Sequence, residues 1–223
     1  MNNGIIHIGA NGGQEADTYC NRGNNVIWIE ASPFVMPTLL NRIAKYENQK
    51  AIQALVTDKD GIEYDFLCDK NNAGQSSSLF DFHLHTKMFP KVVMGESIKL
   101  TGKTLPTILK ENNINLEEYR CINMDVEGAE LLVLKGASSI LHNFETITLE
   151  ASDFESRVGQ PMLQDIDDFM ALNGFDKHTQ RKIHHPYNGN VFEIDDGNYY
   201  EVTYMQRKRG YNPMLEKENI DNM

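Results

Sequence analysis

A chain of 223 residues is roughly one and a half times a mid-sized domain, so a single core with some decoration is expected. Hydrophobic residues at 40% and charged residues at 24% match an ordinary globular composition and argue against intrinsic disorder. Lys and Arg total 21 against 32 Asp and Glu, and the resulting net charge of −11 repels phosphate backbones, so nucleic acid is not an expected partner.

Along the chain, apolar runs alternate with segments of helical period, which predicts a mostly parallel sheet with helices on both faces. Strands are expected at residues 5–8, 26–30, 51–57, 120–124 and 146–150. Residues 33–46 read as a helix: Ser32 suits the N-cap, Pro33 the first position, and Val35, Leu39, Leu40 and Ile43 form one stripe. Residues 129–141 form a second helical pattern. Region 61–102 breaks the alternation, with a short hairpin expected at 63–68 and a polar stretch, NNAGQSSS, that cannot supply a core. After the fifth strand, residues 162–172 read as a helix stopped by Asn173-Gly174. β-rich pieces at 191–194 and 199–206 suggest an antiparallel pair at the sheet edge. The expected organisation is one domain over 1–208, with a recognition insert at about 61–102 and a flexible tail at 209–223.

Cys20, Cys68 and Cys121 are odd in number and lack CxxC spacing, so a disulfide framework or zinc site is not indicated and a reducing compartment fits. No basic region leads into an apolar run, and no stretch nears the length of a membrane span. A cytoplasmic protein is the expectation.

Three segments carry chemistry. In IHIGANGGQE, residues 6–15, a buried strand runs into Gly9, Gly12 and Gly13. Such glycines let backbone approach a ligand closely, and a following helix offers unpaired N–H groups. As a nicotinamide-dinucleotide fingerprint it is flawed, because Asn11 occupies the second glycine position and the third falls out of step, which disfavours a nicotinamide-dependent oxidoreductase as a third reading. In VIWIEASP, Glu30 ends the second strand 17 residues after Gly13, where doubly wound folds place a carboxylate on ribose hydroxyls. A solvated strand end is the plainer alternative. In NMDVEGAELLVLKGA, Asp125 and Glu127 reach the carboxyl end of the fourth strand. They could take a proton, orient a cationic group, hold a metal or cap the next helix.

Together these segments, with QSSSL at 75–79 and ITLEA at 147–151, resemble the FkbM-like S-adenosylmethionine-dependent methyltransferases. The resemblance spans roughly residues 5–175, and Asp-x-Glu-Gly-Ala-Glu is its most specific part. It departs at His7, where the family often has Asp, and fades after Phe175. It implies a Rossmann-like methyltransferase fold, S-adenosylmethionine as cofactor, and methyl transfer commonly to a hydroxyl oxygen of a sugar, glycan or small metabolite. The implied donor site comprises Gly9, Ala10, Asn11, Gly13 and Glu15 at the methionine end, and Glu30 and Ala31 at the ribose. Ala54, Leu55 and Val56 would meet the adenine, and Asp125 would face the reactive centre. Asp125 and Glu127 are the expected catalytic pair; Gln75, Ser76, Ser77, Ser78 and Glu150 are the expected acceptor contacts. No metal is expected, since two carboxylates without a third ligand also describe a metal-free site.

The first strand begins almost at residue 1, so no N-terminal lid is expected, and the insert with the C-terminal edge is left to recognise a large or exposed acceptor. Asp125-Val126-Glu127-Gly128 replaces the Asn/Asp-Pro-Pro-Tyr pattern of enzymes that methylate nucleobase amines, so a flipped base is not the expected acceptor. His83 and His85 read as a surface pair. A module that binds cofactor without catalysis is the alternative from a different class, and tight donor binding without transfer would distinguish it.

Overall fold

Strands such as Ile5-Ile6-His7-Ile8 and Val26-Ile27-Trp28-Ile29 are apolar on both faces, which suits the middle of a sheet covered on both sides. The computed structural model describes residues 3–183, 186–187, 190–191 and 197–207. In chain order the elements are β1 Gly4–Ile8, α1 Ala16–Asn21, β2 Val26–Glu30, α2 Met36–Ile43, β3 Gln49–Gln53, β4 Leu55–Val56 and β5 Glu63–Asp69. There follow α3 His85–Met88, β6 Met94–Lys103, α4 Leu105–Glu111, β7 Tyr119–Met124, α5 Glu130–Gly136 and β8 Thr146–Ser152. The chain continues through α6 Leu163–Leu172, β9 Phe175–Ile183, β10 Pro186–Tyr187, β11 Asn190–Val191 and β12 Tyr199–Gln206.

Seven strands form the main sheet in the order β3-β2-β1-β7-β8-β12-β9. Neighbours from β3 to β8 are parallel; β12 runs antiparallel to both β8 and β9. The strand order reverses between β1 and β7, so the crevice beyond their carboxyl ends is the topological switch point. Alternation along β2 sends Val26 and Trp28 to one core with Tyr19, Met36, Leu39 and Ile43, and Ile27 and Ile29 to the other with Leu105, Leu134 and Ile166. Helices α1 and α2 therefore cover one face, and α4, α5 and α6 the other. No helix among the described residues is long and apolar enough to cross a membrane.

Several boundaries differ from the sequence reading. The expected strand 51–57 divides: β3 stays in the main sheet, while β4 pairs with β6 in a smaller sheet of order β4-β6-β5. The hairpin's second arm is the ten-residue β6, hidden in sequence by its mixed polarity. Helix α2 starts at Met36, not Pro33; Ser32 contributes its carbonyl, accepting from Val35 and Met36, while Val35 occupies the N-cap. Helix α5 ends at Gly136, before a 3-10 turn at Leu141–Asn143. The antiparallel edge pair exists, but β12's outer partner is β9, whose sequence FDKHTQRKI has too little apolar pattern to read as a strand. Of the expected strand 191–194, residues 192–194 lie outside the described residues, as does the tail 209–223.

Candidate active site

Strand β1 ends at Ile8; the next residue, Gly9, has a φ of +79°, and a Cβ there would stand 1.8 Å from the carbonyl oxygen of Asp125. Only glycine allows this approach, and it seats the glycine loop on the segment leaving β7, where the Asp125 N–H donates to Ile8 at 3.0 Å. The loop is held from the other side by Glu30. Its two carboxylate oxygens accept from the Asn11 and Ser32 N–H groups, each at 2.7 Å. Glu30 is 7% exposed, and burial pushes its pKa up while those N–H donors pull it down. Asn11 itself has a φ of 43° and donates from Nδ2 to Ala73 in the insert.

Gly9, Ala10, Asn11, Glu15, Glu30 and Ala31 line one cleft, together with Ala54, Leu55 and Val56. Phe66 and Leu79 extend that apolar shelf from the insert. Gly13 does not line it: with φ at +70°, it packs against α2, where a Cβ would meet Leu39 at 2.7 Å. Beneath the loop, His7 stacks on Trp28 with centroids 4.7 Å apart, and its Nδ1 lies 3.1 Å from the Tyr19 hydroxyl. Burial lowers the His7 pKa to about 4.

The floor of the cleft is acidic. Asp125, Glu127 and Glu150 all line it, at the ends of β7 and β8. Asp125 opens to the cleft yet is ringed by protein; that desolvation first, then Glu127 and Glu130, drives its carboxyl well above the ordinary carboxylate range. Glu150 is raised in the same way, by desolvation and then by Asp125, Glu127, Glu130 and Glu201. Helix capping is done by neither Asp125 nor Glu127. Ala129 is the N-cap of α5, and Glu130 accepts from the N–H groups of Val126 and Gly128.

Glu127, with φ of 55°, turns its Oε2 to Arg157 Nη2 at 2.5 Å. Desolvation raises the Glu127 pKa and the guanidinium opposes that rise. Arg157, on the loop after β8, also donates to the carbonyl of Ser76 at 3.2 Å and lies 5.1 Å from the centroid of Phe82. The insert is thereby pinned to the acid segment. Gln75, Ser76 and Ser77 line the cleft, whereas Ser78 is fully buried, its hydroxyl donating to the Glu127 carbonyl at 2.7 Å. Ser78 is therefore a tie between the two segments.

His85, Phe89, Ile183, Tyr199 and Glu201 complete the wall opposite the glycine loop. His85 is 3% exposed and stacked with Phe82 and Phe89, so it is no surface partner of His83, which sits beside Glu155. Arg157 is not legible as a site residue, because the loop sequence FESRVGQ carries no periodicity that reports burial, and the alternation of His83 and His85 reads as a surface pair although His85 is buried. The cleft encloses about 440 Å³, within the range of cofactor sites. No group of three or more His, Cys, Asp or Glu among the described residues is arranged to hold a metal ion.

A mostly parallel seven-stranded sheet with an inserted antiparallel strand, and a carboxylate-floored cleft at its switch point, define a Rossmann-like methyltransferase fold. The chain belongs to the family described as the methyltransferase FkbM domain, whose model matches residues 7–177. Family membership makes it a methyltransferase with S-adenosylmethionine as methyl donor. Solved structures are similar in fold at low identity. The METTL16 MTase domain has 9% identity and a TM-score of 0.53, covering 91% of this chain and 59% of that one. An uncharacterised protein from Listeria monocytogenes serotype 4b has 11% identity and a TM-score of 0.51, covering 93% and 62%. CrArsM, an arsenic(III) S-adenosylmethionine methyltransferase from Chlamydomonas reinhardtii, has 10% identity and a TM-score of 0.50, covering 93% and 64%. The chain thus spans less than two thirds of each of these three. No curated protein matches it significantly.

Proposed function

We propose that the protein methylates a hydroxyl oxygen of a sugar, glycan or small metabolite. The observation that carries this reading is the pairing of Asp125, a carboxylate with raised proton affinity, with the polar wall of Gln75, Ser76 and Ser77 across the same cleft. A carboxylate of that kind accepts a hydroxyl proton, and amide and hydroxyl groups hydrogen-bond a polyhydroxylated molecule.

The residues fit the donor. Glu30 keeps lone pairs after accepting from Asn11 and Ser32, enough for two ribose hydroxyls. Ala54, Leu55 and Val56, with Phe66, offer an apolar shelf for the adenine. Glu15 and the backbone of residues 9–11 remain for the methionine end. S-adenosylmethionine supplies a methyl group activated on a sulfonium. This chain's task is then alignment and proton removal. Asp125 takes the hydroxyl proton as the acceptor oxygen accepts the methyl, Glu150 stands beside it on β8, and Glu127 holds Arg157 and the insert in place. The insert at 61–102 is the recognition element.

The test is a screen of the purified protein for S-adenosylhomocysteine release across glycans, nucleotide sugars and hydroxylated metabolites, with product NMR. A methyl on oxygen is expected. A methyl found only on nitrogen or carbon overturns the reading.

A further inference from the structure

Asn11 stands where a tight loop ordinarily takes glycine, with a φ of 43°, and its N–H and both ends of its side-chain amide are engaged. The N–H donates to Glu30 Oε2 at 2.7 Å. Oδ1 accepts from the Gly12 N–H at 2.6 Å and from Gln14 Nε2 at 3.0 Å, and two donors on that oxygen fix which way the amide points. Nδ2 is thereby turned to the insert, where it donates to the Ala73 carbonyl at 3.1 Å.

Ala73 belongs to a loop that is tied within itself. Asp69 accepts from the N–H groups of Asn72 and Ser76, Asn72 Nδ2 donates to the Ser76 hydroxyl, and the Ser77 hydroxyl accepts from the Asp69 N–H. Gln75 and Ser77 donate their N–H groups to the carbonyls of Asn72 and Gly74. Residues 69–77 therefore move as one piece, and displacing Ala73 carries the strip of Gln75, Ser76 and Ser77 with it. On its other side the piece meets Arg157 through the Ser76 carbonyl. Asn11 thus touches the carboxylate read as the ribose acceptor through its backbone, and the loop that carries the polar wall through its side chain.

Resting on the placement of the donor along residues 9–11 and Glu30 proposed above, we infer that Asn11 is a positioning residue through which a bound donor orders residues 72–77 for the acceptor. Donor contacts that hold the backbone of residues 9–11 also hold the amide, and the amide holds Ala73. Donor and acceptor then bind with positive coupling. A neutral hydrogen bond shifts such an equilibrium roughly two- to tenfold.

The experiment is hydrogen–deuterium exchange on the full chain, with and without saturating S-adenosylhomocysteine, its concentration set from each variant's own affinity by calorimetry. In the wild type, S-adenosylhomocysteine should slow exchange at residues 72–77 about fivefold, alongside protection at 9–13. Asn11→Asp keeps the acceptor for Gly12 and Gln14 and removes only the donor to Ala73; Asn11→Gly removes both and suits the φ. In each, the slowing at 72–77 should fall below about twofold while that at 9–13 remains. Gly74→Ala, whose Cβ would strike Val35, lifts the insert from the far side of the tie and should abolish the same slowing with the glycine loop unaltered. A purely structural tie would speed exchange equally with and without S-adenosylhomocysteine, leaving the ratio as in the wild type. That result, or a wild type without slowing at 72–77, overturns the inference. Missing protection at 9–13 in a chain that binds S-adenosylhomocysteine removes the donor placement as well, whereas protection confined to 9–13 removes the inference alone.

Discussion

Arg157 donates to Glu127 at 2.5 Å with only 1% of its side chain reaching solvent, and its second terminal nitrogen, Nη1, has no hydrogen-bond partner among the described residues. The pair is asymmetric, because a quarter of the Glu127 side chain is accessible from the cleft. Glu127→Met strands a buried guanidinium and should cost about 3–5 kcal/mol. Arg157→Met should cost less, since Glu127 can take a proton or water from the cleft. Urea unfolding of both variants and of the double variant checks this; the double variant should be more stable than Glu127→Met, and additive losses would contradict the pairing.

Asp125→Asn should slow turnover by about two to four orders of magnitude while leaving S-adenosylhomocysteine affinity within a few-fold, because it removes a proton acceptor and keeps the side chain's shape. Near wild-type turnover in a folded variant would remove Asp125 from the chemistry.

Glu30→Ala should weaken donor binding at least tenfold by calorimetry. Glu30→Gln should be nearly as damaging, since its amide N–H₂ would face either the Asn11 or the Ser32 N–H, both of which need an acceptor. Unchanged affinity in the glutamine variant would show that the loop does not depend on this carboxylate.

Two buried groups predict opposing pH dependences. The folded pKa of His7, about 4, lies below its ordinary 6.5, so the unfolded chain holds the extra proton and stability falls as pH drops from 6.5 towards 4. Glu130 is raised from 4.5 to about 7, first by desolvation, so its contribution is full below pH 4.5 and lost as pH rises through 7. Each is worth up to roughly 3 kcal/mol. Relative to wild type, His7→Asn should therefore lose less stability on acidification from pH 6.5 to 4.5, and Glu130→Gln should lose more. Unfolding curves for both variants that stay parallel to wild type across this window would refute the two assignments.

The buried middle of the fold was readable because β1 and β2 are continuous apolar runs ended by glycine or acid, and β7 and β8 set Ile122, Met124, Ile147 and Leu149 into one core; the switch-point rule then placed Gly9, Glu30 and Asp125 around one crevice. What escaped was set by tertiary contact. Strand β9 is exposed along most of its length, β6 alternates weakly, and nothing local distinguishes the buried Arg157 from a solvated loop arginine. Gly13 and Ser78 sit within segments that form the cleft but turn away from it, one to seat α2 and the other to bind the Glu127 carbonyl.

Strand β12 lies between β8 and β9 although it follows both in sequence. As the polypeptide leaves the ribosome, β8 and β9 must therefore wait with open edges until residues 199–206 arrive to zip between them. Because the chain emerges from its N-terminus, this step is expected after β1 to β8, complete by Ser152, have had the chance to assemble. Tyr199 and Glu201 come with it. A nascent chain can then form the glycine-loop side of the cleft before the wall of Tyr199 and Glu201, leaving a transient species with unpaired strand edges exposed, a natural point of engagement for a chaperone.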